Sequence, residues 1–257
     1  MPEQERKTVL ILGGTAEARE LAAELVGSGV DVLTSLAGRV REPARPSGRL
    51  RIGGFGGVDG LSAFLTEQQI AAVVDATHPF AAKIGSNASA AATRTGTPLL
   101  RLERPGWVDH PLARTWTWVP DAAGAIAAAA TARHPFLTTG RRSAEAFLPW
   151  ADRAAVIRLV DPPGFPLPAA WTLIIARGPY RYEDELQLMI EFRVDALITK
   201  DSGGTHTVAK LEAAAELGVP VVIIERPARP AGSATTGVAG AVDWCRAQLH
   251  RRSARRS

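Results

Sequence analysis

A chain of 257 residues corresponds to one large or two compact domains, each long enough to bury a core. With 46% hydrophobic and 22% charged residues, collagen-like, low-complexity and extended coiled-coil structures are excluded. The formal charge of +4 is matched by four arginines among the last seven residues, so the body is near neutral and the high pI of 9.7 is no nucleic-acid footprint. Cys245 is the single cysteine, which rules out an internal disulfide or a clustered thiolate metal site. The start carries a short apolar run before two glycines, well under a signal-peptide core, and no later run approaches a membrane span. A cytoplasmic protein with no membrane or nucleic-acid partner is expected.

Val/Ile/Leu-rich runs alternate with Ala-rich helical patterns, the signature of a parallel α/β fold. Strands are predicted at 8–12, 30–34, 49–52, 71–76, 98–102 and 115–119. In the first helix Ala18, Leu21, Ala22 and Leu25 form the apolar face. The stretch 122–132 reads as a helix capped by Asp121. The alternation then restarts, with strands predicted at 136–139, 155–160, 172–176, 196–199 and 220–224. TGTPLLRLERP (95–105) is echoed by LGVPVVIIERP (217–227), which points to duplication. The expected division is therefore 1–132, 133–250 and a disordered basic tail at 251–257.

Gly13, Gly14 and Thr15 join the first strand to the first helix, a turn that lets backbone approach a diphosphate at the positive helix end; a tight turn needing glycine for its dihedrals alone is the alternative. After the second strand, Thr34 and Ser35 stand where an NAD site carries an acid, with Arg39 and Arg41 beyond. Hydroxyls and guanidinium groups there favour NADPH over NADH; a solvated basic loop is the competing reading.

Gly53, Gly54, Phe55, Gly56 and Gly57 follow the third strand. Phe55 either packs on a cofactor or is tucked into the core. Thr77 and His78 end the fourth strand, with Pro79 expected as the first helical residue and one of the two as its cap. His78 is also a candidate proton donor on the strand edge where open sheets bind ligands.

In the second half, Thr138, Thr139, Gly140, Arg141 and Arg142 form a strand-to-helix turn. Lys200, Asp201, Ser202, Gly203 and Gly204 read as another, with the Ser202–Gly204 amides expected at a helix N-terminus beside Lys200, a seat for carboxylate or phosphate. Only four lysines occur in the chain, Lys200 and Lys210 among them. Arg177 to Tyr180 forms a third polar loop on that edge. Neither Tyr180 nor Tyr182 has a lysine four residues on, and no GxSxG elbow or P-loop is present.

Together LILGGTAEARELA, SLAGRV, RIGGFGG, DATHPFA, TTGRR, ITKDSGG and the two ERP exits resemble the precorrin-6A reductase family of cobalamin biosynthesis, in order from Leu10 to Pro227. The resemblance implies two Rossmann-like parallel-sheet domains with an interdomain cleft, no metal, and NADPH as hydride donor to a corrin-precursor macrocycle, cobalt-free or cobalt-containing. On that reading Gly13, Gly14 and Thr15 hold the diphosphate, Ser35 and Arg39 the 2′-phosphate, and Gly53 to Gly56 with Phe55 flank the nicotinamide. Thr77, Arg141, Arg142, Tyr180, Lys200, Ser202 and Gly203 would bind the polycarboxylate substrate. His78, Asp201, Lys200 or solvent would deliver the proton. Hand-over to other cobalamin-pathway enzymes is a further expectation. An unrelated NADPH reductase of a small carbonyl or imine, and a two-lobed nucleotide sensor without turnover, are the alternatives.

Overall fold

A computed structural model describes residues 7–38, 45–204 and 207–254. In chain order the first elements are β1 (Val9–Leu12), α1 (Ala16–Gly27), β2 (Val32–Leu36), β3 (Arg49–Ile52), α2 (Gly57–Glu67), β4 (Ala72–Asp75), α3 (Ala82–Thr95) and β5 (Leu99–Leu102). They are followed by β6 (Thr117–Val119), α4 (Ala122–Ala128), β7 (Pro135–Leu137), α5 (Arg141–Ala144), β8 (Val156–Leu159) and β9 (Thr172–Ile175). The chain continues with α6 (Tyr182–Glu191), β10 (Ala196–Lys200), α7 (Ala209–Glu216), β11 (Val221–Ile224), β12 (Ala234–Thr235) and α8 (Val238–Ala254). Each run read as a strand from sequence is one.

Two parallel six-stranded sheets result, ordered β12-β5-β4-β1-β2-β3 and β6-β11-β10-β7-β8-β9. Both follow the doubly wound 3-2-1-4-5-6 order, with the sixth position filled by a strand from the other half of the sequence. β6 follows β5 yet pairs with β11, Thr117 opposite Val222. β12 follows β11 yet pairs with β5, Ala234 opposite Arg101.

The compact units are accordingly 1–104 with 228–257, and 105–227. This differs from the division at residue 132, because the 105–132 segment belongs to the second unit and α8 to the first. The expected tail also differs, since α8 runs to Ala254 and only 255–257 lie beyond the described residues.

In the first unit β1 is buried on both faces, as a central parallel strand must be. Val9 and Ile11 pack with α1 and with Ala241, Val242 and Cys245 of α8, while Leu10 and Leu12 pack with Leu61 and Leu65 of α2 and Ala88 and Ala91 of α3. Burial pushes the Cys245 thiol up to about 12, so it is a core residue without thiolate reactivity. In the second unit Phe136, Val156, Leu197 and Ile223 of the sheet pack with Met189 of α6 and Leu211 and Ala214 of α7. Asp121 caps α4 as expected, accepting from the Gly124 amide at 2.8 Å.

Candidate functional site

At the carboxyl edge of the first sheet, Gly13 sits where a Cβ would lie 2.9 Å from Thr34 Cγ2, so only glycine lets β1 turn this close to β2. Its amide donates to Ser35 O at 3.0 Å. Gly14 adopts φ +118, a conformation that side chains resist. Thr15 caps α1: its hydroxyl accepts from the Ala18 amide at 3.1 Å and donates to Ala76 O at 2.9 Å. That hydroxyl is committed to tying α1 to the end of β4. The turn can therefore meet an anion through backbone amides of the first helical turn, which have no intrahelical acceptors.

Thr34 and Ser35 are both buried, and Thr34 Oγ1 has no hydrogen-bond partner. Arg39 and Arg41 lie outside the described residues. Phe55 sets its ring edge-on to Phe64 at 5.1 Å and beneath the Arg51 guanidinium, 4.0 Å from the ring centroid. Arg51 donates in turn to Gly53 O at 2.6 Å and Gly54 O at 2.9 Å. The glycine loop is thus held from below, with Phe55 packed against the core beneath α2. Ideal Cβ positions at Gly53, Gly54 and Gly56 meet nothing within 4 Å, which leaves its backbone approachable.

β4 ends in Asp75, which accepts from the Thr77 amide at 3.1 Å and from the Thr77 hydroxyl at 2.6 Å. Pro79 is not the first helical residue. α3 begins at Ala82, and His78 Nδ1 instead accepts from the Phe80 amide at 3.2 Å. Arg229, on the segment arriving from β11, donates to His78 O at 2.9 Å and lies 3.9 Å from Asp75. Arg104 at the β5 exit pairs with Glu17 of α1 at 2.8 Å.

At the carboxyl edge of the second sheet, Gly140 leads from β7 into α5, on which Arg141 and Arg142 are both exposed. Thr139 is buried with no partner for its hydroxyl. Tyr180, half-buried after β9, donates its hydroxyl to Ala176 O at 3.2 Å, and burial raises its pKa. Lys200 ends β10, and burial lowers its ammonium to about 8.

Beyond Lys200 the expected helix N-terminus is absent, since α7 begins only at Ala209. The Ser202 amide donates to Lys200 O and the Gly204 amide to Pro105 O, at 2.6 and 3.3 Å. Gly203, at φ +62, lies against the entering segment: a Cβ there would stand 2.1 Å from Pro105 O. Asp201 is likewise committed. One carboxylate oxygen accepts from the Trp107 amide at 3.0 Å and the other forms an ion pair with Arg226 Nε at 3.0 Å, which also donates to the Asp201 main-chain oxygen at 3.1 Å. With an amide donor on one oxygen and a guanidinium beside the other, Asp201 anchors the segment that enters the second sheet. Thr205 and His206 lie outside the described residues.

Sequence reasoning passed over Arg226 and Arg229, which fasten the two crossing segments, and Arg158 and Glu185, which with Lys210 form a buried trio. An arginine within the apolar strand AVIRLV was the available signal for the trio. Lys210 is buried, donates to Thr207 O at 2.7 Å and lies 5.0 Å from the Trp107 ring. Desolvation foremost, with Arg158 adding and Glu185 opposing, lowers it to about 7. Its folded value lies below its unfolded one, so between about pH 7 and the ordinary lysine range the unfolded chain binds more protons and stability rises with pH. Chemical denaturation at pH 7 and 9 is expected to show that rise, and Lys210→Met to reduce it; an equal slope in the variant would contradict the assignment.

Among the described residues no group of three or more His, Cys, Asp or Glu is placed to hold a metal ion, and no helix is long and apolar enough to cross a membrane. A family model for precorrin-6x reductase CbiJ/CobK matches residues 8–246. A precorrin-6A reductase of Rhodococcus erythropolis is 48% identical over 239 residues, covering 92% of this chain and 96% of the relative. One of Mycobacterium tuberculosis H37Rv is 50% identical over 238 residues, covering 92% and 96%. A cobalt-precorrin-6A reductase of Priestia megaterium is 31% identical, covering 85% and 90%. The solved structure of a CobK precorrin-6A reductase is similar at TM-score 0.87 and 38% identity, covering 94% of this chain and 97% of that one.

Proposed function

The chain belongs to the precorrin-6x reductase family, and from that premise we propose that it reduces one double bond of precorrin-6A, giving precorrin-6B, with NADPH as the reductant. The observation that carries this reading is the extent of the likeness, about half of all residues identical across nearly the whole length of precorrin-6A reductases. The lower identity to cobalt-precorrin-6A reductases favours the cobalt-free macrocycle.

A dinucleotide fits the first unit. The Gly13-Gly14 turn presents backbone at the start of a 12-residue helix, and the orphaned Thr34 hydroxyl on the adjoining strand awaits a partner. Gly13, Gly14 and the Thr15 backbone would hold the diphosphate. Thr34 or Ser35 with Arg39 would hold the 2′-phosphate, and Gly53 to Gly56 would flank the nicotinamide. When bound, the nicotinamide supplies the hydride.

The macrocycle carboxylates are assigned to the second unit, to Arg141, Arg142 and Lys200, with Tyr180 and Ser202 as further contacts. One alkene carbon takes the hydride and its neighbour a proton. Lys200 is suited to donate it, because partial burial leaves its ammonium more acidic than an ordinary lysine while still charged at neutral pH. Solvent is the second source of the proton.

Anaerobic incubation with precorrin-6A tests the reading. Loss of reduced-nicotinamide absorbance in step with the corrinoid spectral change is expected, whereas binding of both compounds without oxidation would leave a sensor. Arg39→Ala is expected to raise KM for NADPH at least about tenfold while leaving KM for NADH nearly unchanged, since one charge-assisted contact to a phosphate is lost. An equal rise for both cofactors would remove Arg39 from the 2′-phosphate site.

A further inference from the structure

Arg158 is the third residue of β8 and is buried against α6, where it pairs with Glu185, itself 1% exposed. Burying such a pair gains little stability over apolar residues of the same size. What it supplies is direction. The Arg158 guanidinium carbon stands 3.7 Å from the centroid of the Tyr180 ring and 5.0 Å from that of Phe136, so the group lies over two rings, one on a strand and one on the loop after β9. The Tyr180 hydroxyl closes that loop onto Ala176. β9 is the outermost strand of its sheet, paired on one side only, and its final residue Ile175 is 51% exposed. A loop leaving such a strand is otherwise the least supported part of the edge. Glu185 Oε2 has no hydrogen-bond partner, and the other oxygen accepts from Arg158, while the charge also acts on Lys210.

We infer that Arg158 and Glu185 are positioning residues for the reduction: the guanidinium face fixes the Tyr180 ring, and with it the 177–180 loop, at the edge that receives the macrocycle. This rests on the assignment of the macrocycle to the second unit. A guanidinium is required because a lysine ammonium keeps the charge but has no flat face to lay on the ring.

Full-length Glu185→Gln and Arg158→Lys are compared with the parent in two assays. Limited trypsin digestion after Arg177 and Arg181 reads how firmly the loop is held, and KM for precorrin-6A against KM for NADPH reads its use. Faster cleavage is expected in both variants. KM for precorrin-6A is expected to rise about tenfold while KM for NADPH stays within about twofold. Combined with Tyr180→Ala, the Glu185→Gln effect on precorrin-6A should not add, because both act through one ring. Unchanged cleavage in a folded variant, or strict additivity, overturns the positioning role. Faster cleavage with unchanged KM for precorrin-6A overturns instead the placement of the macrocycle on this edge. Should Glu185→Gln fail to fold, Arg158→Lys, which keeps the charge pair, decides alone.

Discussion

Asp201→Asn is expected to leave turnover within about threefold of the parent while lowering the stability of the second unit by about 3 kcal/mol. The carboxylate lies at the end of β10 with 6% of the residue exposed, and one oxygen accepts from the Trp107 amide while the other forms an ion pair with Arg226. Asparagine keeps one acceptor but places a neutral amide against the Arg226 guanidinium, which removes the ion pair. The cost falls on the segment that carries the chain into the second sheet, since Trp107 and the Gly203–Pro105 contact are held at the same point. Urea unfolding followed by the fluorescence of Trp107 and its neighbours measures the loss. A fall in turnover of about a hundredfold in folded protein would return Asp201 to the role of proton donor.

Lys200→Met is expected to lower kcat by about 10²-fold or more, the range for removal of a general acid. The accompanying pH signature is more specific. Burial holds the Lys200 ammonium at about 8, and a donor must be protonated to act, so the parent should lose activity as pH rises through that value. Lys200→Met should show a low, flat rate across the same interval. Retention of the alkaline limb in the variant would assign the limb to another group, and a loss under about threefold would leave solvent as the proton source.

The turns that carry chemistry were legible because local constraints dictate them. Gly13 and Gly14 are required by a close strand approach and a positive φ, both settled within one β-to-α connection. The strands at 8–12 and 220–224 announce themselves as apolar runs because they are buried on both faces. His78 was placed on the correct edge, but its turn was misread as a cap. A histidine accepting from the amide two residues on competes locally with a helix start, and three further residues pass before α3 begins. The Ser202–Gly204 loop was misread for a longer-range reason: Pro105, almost a hundred residues earlier in the chain, occupies the space and takes the Gly204 amide.

Sequence by itself determined that this chain makes two parallel α/β halves with glycine turns at strand ends, because periodicity, burial on both strand faces and turn chemistry are short-range properties. Only the tertiary structure decided which half owns the sixth strand of each sheet. β6 and β12 span three and two residues, too short to carry a pairing preference of their own. Their partners are chosen by long-range contacts: Asp201 with Trp107 for the segment leading to β6, and Asp75 and His78 with Arg229 for the segment leading to β12. Hydrogen bonds and ion pairs between residues roughly a hundred or more positions apart leave no periodic trace in the chain, so that choice becomes visible only once the sheets exist.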